Sequence, residues 1–338
     1  MNDSKSFPID FVVTWVDGDD PAWRVKKLTF QGVASDEAKS DNRFRDLDLF
    51  KYWFRGVELH APWVRKIFVV TDRQIPEFLN LANPKIQMVD HTEIISDEYL
   101  PTFNSNTIDL NVVNIEGLSE HFVLFNDDFF IVNDVSPLDF FTKDGLPKDT
   151  IGQSVIIPTE EYDHTLVNNV TLMNTTFTKK QVLSRNFSNF FNLTQGLKVF
   201  LLNLYFTPFP KFTRMFDPHT AYSFRKTDVK RGLNVSNQKI KRTFLNRFRD
   251  FSDVSVQWLR YFSIGEGNTR PRSTRFGITI NTSEFSVRKA TKAVKNKKTK
   301  ILNLQDNGEL INIEETVLFF EKKFPKTSTF ENVLSSER

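Results

Sequence analysis

Apolar residues dominate positions 9–16, Ile-Asp-Phe-Val-Val-Thr-Trp-Val, and stop at Asp17-Gly18-Asp19-Asp20-Pro21. This pattern predicts a buried strand that enters a polar loop. Positions 46–59 then place Leu49, Phe50, Trp53, Phe54 and Val57 at helical spacing, with Asp41 and Asn42 as start signals and Ala61-Pro62 as the stop. Further strands are predicted over 66–70, ending in Thr71-Asp72, over 86–89, ending in Asp90-His91, and over 121–125, running into Asn126-Asp127-Asp128. A helix is predicted over 105–114. Strands and helices in this order predict an α/β fold with a mostly parallel sheet flanked by helices. Three strands end in an acidic residue at the carboxyl edge, where open α/β sheets bind ligands.

Beyond residue 150 the text changes. Positions 176–206 read as helical and Phe-rich with Asn and Ser interspersed, and 239–251 as a further helix. Positions 265–277 read as a loop carrying Arg270, Arg272 and Arg275. The segment 288–300 has seven basic residues and no acid, 301–304 is a last short strand ending at Gln305-Asp306-Asn307-Gly308, and 316–324 is an amphipathic helix. Three segments are expected: an N-terminal α/β half over 1–134, a largely helical insertion over 135–210, and a C-terminal part over 211–338.

Composition narrows the chemistry. The chain has 338 residues, and its absence of Cys excludes disulfides, thiolate metal sites and a cysteine nucleophile. Its 35 Phe are expected mostly in the core. No signal-peptide pattern opens the chain, and no uncharged apolar run approaches the about 20 residues that cross a bilayer. The longest candidate, 199–209, is interrupted by Asn203 and Pro208. A soluble or peripheral protein is expected. Net charge is +3, yet residues 1–150 carry 26 acidic and 15 basic side chains and residues 151–338 carry 16 and 30. An acidic half beside a basic half fits a metal-assisted site facing an anionic substrate, or two surfaces that pack together.

Asn126-Asp127-Asp128 stands where an apolar strand ends. Carboxylates there can hold a hard divalent cation against a diphosphate, or simply make a turn. Trp15, Asp17 and Gly18 follow the first strand, and Asp72 follows the second; each is a donor-site candidate or an ordinary loop residue. Arg43, Arg45 and Arg65 are candidate phosphate clamps, because a guanidinium fork matches phosphate oxygens. His219, in Asp217-Pro218-His219-Thr220, is a candidate general base or a structural histidine. The basic run at 288–300 is a solvated face or an anion-binding surface, and no nucleic-acid motif accompanies it.

These motifs resemble the Stealth family of capsular polysaccharide phosphotransferases, which includes the mammalian GlcNAc-1-phosphotransferase of lysosomal glycoproteins. The first family block is similar to Ile9–Gly18. The second is similar to the run from Arg43 to Asn80, to Leu-Pro-Thr-Phe-Asn-Ser-Asn from Leu100 to Asn106, and to the run from Gly117 that contains Asp127 and Asp128. Asp217-Pro218-His219-Thr220 resembles the third block, and Leu302-Asn303-Leu304-Gln305-Asp306-Asn307 the fourth. The resemblance implies a glycosyltransferase-A-like core and hexose-1-phosphate transfer from a UDP-sugar, with UMP released. It implies a divalent cation, Mg²⁺ or Mn²⁺, at Asp127 and Asp128, with His219 and Asp306 completing the site. On this reading Asp127, His219 and Arg275 are catalytic, and Asp127, Asp128 and Asp306 hold metal. Trp15, Asp17, Gly18, Arg43, Asp72 and Asn106 contact the donor. The acceptor is expected to be an oligosaccharide or lipid-linked polysaccharide. The location is expected to be cytoplasmic, with peripheral contact at the inner membrane face.

Overall fold

The computed structural model describes residues 7–33, 47–305 and 313–332. Arg43, Arg45 and Asp306, and the helix start signals Asp41 and Asn42, lie outside these residues.

The apolar run after Pro8 forms β1 (Ile9–Thr14), with side chains alternating between two cores. It pairs in parallel with β2 (Ile67–Thr71) on one side and with β4 (His121–Asn126) on the other. β3 (Ile86–Asp90) continues the sheet in parallel beyond β2. The strand β7 (Tyr222–Arg225) closes the other edge antiparallel to β4, giving the order β3-β2-β1-β4-β7. Strands β1 and β2 are buried on both faces, which is why they read as continuous apolar text rather than as an alternation.

Residues Phe11, Val13, Ile67, Val69, Val123 and Phe125 face the first core, together with α2 (Phe50–His60). Helix α2 turns Phe50, Trp53, Phe54 and Val57 onto the sheet, the stripe expected from spacing, but it begins four residues later than predicted. Asp48 has a positive φ of 55°, so the chain turns sharply just before the helix. The first core also buries a second sheet, in which β10 (Ile301–Gln305) lies between β5 (Phe129–Ile131) and β9 (Gly277–Asn281). Strand β10 runs antiparallel to β5 and parallel to β9.

Val12, Phe68, Val70, Phe122 and Leu124 face the second core. Around it pack α3 (Ser105–Asn111), α4 (Asp163–Thr176), α5 (Lys179–Arg185), α7 (Lys226–Val235), α8 (Asn237–Leu245) and α9 (Gln257–Glu266), while α6 (Leu197–Phe206) is tied to its edge through Asn203. The insertion is thus broken into several helices instead of one long one. Its Asn residues explain how the breaks are tolerated. Asn174 brackets the Phe212 backbone, Asn186 donates to Val182 and Ile264 carbonyls, and Asn203 donates to Ile151 and Phe190 carbonyls. Each side-chain amide satisfies backbone groups in loops or at helix ends that have no backbone partner of their own.

The three predicted segments interlock. Strand β7 from 211–338 belongs to the sheet of 1–134, and β5 from 1–134 belongs to the sheet of 211–338. The basic run becomes α10 (Val287–Lys295), which buries Ala290 and Val294, and the tail becomes α11 (Ile313–Lys323).

Candidate active site

The order of the main sheet reverses at β1, whose connections leave to β2 on one side while the chain returns later to β4 on the other. Open α/β sheets bind ligands outside the carboxyl ends at such a reversal. Thr14 and Asn126 are in register, so the loops after β1 and β4 emerge side by side there.

The loop after β1 is built for rigidity. Trp15 is buried and stacks on Phe50 at 5.7 Å with planes 7° apart. Gln74 accepts from the Asp17 amide at 3.0 Å and donates to the Asp17 carbonyl at 2.8 Å and to Asp20 at 3.0 Å. Asp20 in turn caps α1 (Pro21–Phe30) through the amides of Ala22 and Trp23. These bonds, Gln74 first, hold the Asp20 carboxyl below its usual pKa. Gly18 sits in the turn and is not among the residues with positive φ.

Strand β4 ends in a turn at Asp127-Asp128, and β5 leaves the main sheet for the second one. That departure puts Asp128 against β10. The Leu304 amide donates to the Asp128 carbonyl at 3.0 Å, and Asn303 Nδ2 donates to Asp128 Oδ2 at 2.9 Å. Asp128 Oδ1 is buried and has no hydrogen-bond partner. Burial pushes the Asp128 carboxyl up to about 7, against the opposing pull of Asn303.

His219 arrives at the same place from the second half. Its ring stands edge-on to Phe129 at 5.1 Å, and Asn303 is its polar neighbour. The imidazole is open to solvent, yet protein crowds it enough that burial lowers its pKa, an effect Asn303 partly opposes. Asp128 and His219 therefore meet at one side chain, Asn303, which is itself fully buried.

The loop bearing His219 is held from beneath. Asp217 accepts from Arg260 at 2.6 Å, from the Tyr261 hydroxyl at 2.7 Å and from Arg214 at 3.3 Å. Arg260 also reaches Asp149 and the Phe216 carbonyl. Burial works against the Arg260 charge, but Asp149 and Asp217 outweigh it and raise its pKa. Above, Gly277 lets the loop pass: a Cβ there would meet Thr220 Cβ at 2.9 Å.

Other predicted residues are placed differently. Asp72 is ion-paired with Lys26 of α1, with Nζ to the two oxygens at 2.6 and 2.8 Å. Asn106 is buried, and its amide nitrogen donates to Asp253 within a network that includes Asn104 and Asn246. Arg65 forks onto Asp10 at 2.8 and 2.6 Å, at the opposite end of β1 from the crevice, so it is no phosphate clamp. Arg275 is exposed. Three residues earlier, Arg272 is buried, donates to the Ala221 carbonyl at 3.1 Å and lies 4.2 Å from the Phe276 ring centre. Among the described residues no three His, Asp or Glu gather as a metal cluster.

Sequence reading missed Asn303, Arg260 and Tyr261. Asn303 lay inside a quoted motif, but a neutral amide attracts no attention beside Asp306.

The mostly parallel sheet thus carries acidic loops at its reversal point, with His219 on the loop that enters β7 and its neighbour Asn303 on the second sheet. Residues 7–29 match the model for conserved region 1 of Stealth proteins, and residues 43–149 match conserved region 2. The chain is 41% identical over 336 residues to the exopolysaccharide phosphotransferase cps2G of Lactiplantibacillus plantarum, covering 98% of each. It is 37% identical over 330 residues to the capsular polysaccharide phosphotransferase WcwK of Streptococcus pneumoniae, covering 96% of this chain and 98% of that one. Among solved structures, the galactosyltransferase LgtC with donor and acceptor sugar analogues covers 95% of this chain at 9% identity and a TM-score of 0.44. The chain belongs to the Stealth family, and it is a phosphotransferase.

Proposed function

We propose that this phosphotransferase moves a hexose-1-phosphate from a UDP-sugar to a hydroxyl of an oligosaccharide or lipid-linked polysaccharide, releasing UMP, in capsular or exopolysaccharide synthesis. The observation that carries the proposal is the meeting of Asp128 and His219 at Asn303 beside the sheet's reversal point. The names of the relatives support the reaction class.

In this reaction the acceptor oxygen forms a bond to the phosphorus that bears the hexose, and the bond from that phosphorus to the UMP oxygen breaks. His219 takes the hydroxyl proton, since a lowered pKa keeps the imidazole neutral and able to accept it. Asn303 is the polar neighbour of the ring, and the Asp217 cluster fixes the loop. Phosphoryl transfer is mostly positioning and charge stabilisation, so these supports bear directly on rate.

The donor set fits a hard divalent cation. Asp128 Oδ1 is a buried carboxylate oxygen without a partner, and Asp127 adjoins it. Asp127 and Asp128 would hold Mg²⁺ or Mn²⁺, with Asp306, next in chain to β10, as a third oxygen ligand. Bound there, the cation would neutralise charge on the leaving phosphate. Trp15, Asp17 and Gly18 are the proposed donor contacts on the β1 loop, with Arg43 as a phosphate contact. Asp72 and Asn106 are proposed to act through position, because Lys26 and Asp253 already engage their polar atoms. Arg275 is proposed as a phosphate contact at the rim.

A panel of UDP-sugars incubated with the enzyme, Mg²⁺ and acceptor tests this, with the nucleotide product read by chromatography. UMP is expected. UDP as the product would mean transfer of the sugar without its phosphate, and would overturn the proposal.

A further inference from the structure

Helix α6 is apolar on its outer face as well as on most of its inner one. Its inward stripe is Val199, Asn203 and Phe206, and the polar Asn203 is fully buried. Asn203 accepts from the Gln153 amide at 2.7 Å and donates to the Ile151 and Phe190 carbonyls. The outward stripe is apolar: Leu197, Leu201, Leu204 and Tyr205 are 64%, 52%, 56% and 67% exposed. These positions recur at i, i+4, i+7 and i+8, so they form one face. Leu193 and Phe209 extend it at either end, and Tyr205 lies 6.2 Å from Phe209 between ring centres. An amphipathic surface helix normally presents a polar face there. Contiguous exposed apolar surface of this kind marks an interaction site.

The surrounding charge indicates what it meets. No acidic residue occurs between Asp163 and Asp217, whereas Lys180, Arg185, Lys198 and Lys211 are all exposed in that stretch. We infer that this face docks on an anionic lipid surface, with α6 lying in the plane of the headgroups, the leucines inserted, and the cations among the phosphates. Apolar insertion and lipid charge reinforce each other in this mode. A second copy of the chain fits less well, since a two-fold contact through this face would set like charges together without relief. Helix α6 has 10 residues, about 15 Å, and no helix among the described residues is long and apolar enough to cross a membrane.

The docking face adjoins the candidate site. Gly152 permits the contact: a Cβ there would meet Val199 Cγ1 of α6 at 2.8 Å and Phe216 Cβ at 3.1 Å, and Phe216 is three residues before His219. Thr274, next to Arg275, donates to the Gln195 carbonyl at 3.0 Å just before α6. A lipid-linked acceptor would thus be presented beside His219. The acceptor part of this inference rests on the proposed reaction, but docking itself does not.

Flotation of the full chain with phosphatidylcholine vesicles, with and without added phosphatidylglycerol, at low and high salt, tests it. Flotation is expected with the anionic vesicles at low salt and should weaken at high salt. The double variant Leu201→Asp/Tyr205→Asp should bind at least about tenfold more weakly, since both residues already face solvent. Its thermal melt should match the wild type, and its UMP release with a soluble acceptor should be unchanged. Equal flotation of variant and wild type would overturn the inference. So would a lack of preference for anionic vesicles, or a concentration-dependent dimer that the variant abolishes without any vesicle binding. Flotation without UMP release would instead count against the proposed reaction alone.

Discussion

Replacing Asn303 with Leu separates the two groups that meet there. Leucine keeps the branched, four-heavy-atom outline of asparagine in a somewhat larger volume, but removes the 2.9 Å bond to Asp128 and the polar neighbour of His219. A hydrogen bond to a charged group contributes about 1.5–3 kcal/mol. If that stabilisation is needed at the transition state, kcat should fall by about 10- to 150-fold. The pH profile carries more information than the magnitude. Asn303 holds the Asp128 carboxyl down and the His219 imidazole up, so its removal moves their pKa values in opposite directions. If deprotonation of His219 limits the rate, the acid limb of the profile shifts to lower pH in the variant. If deprotonation of Asp128 limits it, the limb shifts to higher pH. Steady-state release of UMP across pH, with cation saturating, measures both quantities. A variant with kcat within about threefold of wild type and an unmoved acid limb would refute the coupling of the two groups through Asn303.

Other outcomes follow from neighbouring features. Asp128→Asn should abolish transfer while leaving circular dichroism and the thermal melt intact, because it removes an unpaired buried carboxylate oxygen; near-normal turnover would remove the metal assignment. Asp217→Ala strips partners from Arg260, Tyr261 and Arg214 and should cost about 3–5 kcal/mol in urea unfolding, together with activity. Gly277→Ala drives a methyl into Thr220 and should lower kcat at least about tenfold, with a smaller loss of stability measured in the same melts. Asp109 is buried, and burial pushes its carboxyl up to about 7 despite Arg249. A raised carboxyl pKa contributes stability that is full below about 4 and lost as pH rises through about 7. Asp109→Asn should flatten that slope and be the more stable protein above it, by up to about 4 kcal/mol; urea melts at either end of the range decide.

Strands β1, β2 and β4 were legible because each is an unbroken apolar run closed by polar loop residues, and the loops at their ends carried the acidic candidates. Strands β5 and β7 were not, being three and four residues long and embedded in other text. Helix α9 was missed for a different reason. It buries Trp258, Leu259, Arg260, Tyr261, Phe262, Ser263 and Ile264, polar positions included, so its burial does not follow its apolar pattern. With it went Arg260 and Tyr261, the anchors of Asp217. In the segment 265–277 three arginines look alike in sequence; burial of Arg272 and exposure of Arg275 are tertiary facts. Asp72 and Asn106 illustrate the converse, since a residue at the right strand or helix end can be spoken for by a neighbour that periodicity does not reveal.

The bond from Asn303 to Asp128 joins residues 175 apart in sequence. During synthesis the first four strands of the main sheet are complete long before β10 leaves the ribosome, so the amino-terminal part exists for a time with its Asp128 side chain lacking the amide from Asn303. Chains stopped short of β10, by truncation or by proteolysis, would keep the strands of the main sheet and yet have neither Asn303 nor Asp306. An incomplete copy should therefore be chemically silent, its chemistry arriving only with the last strand.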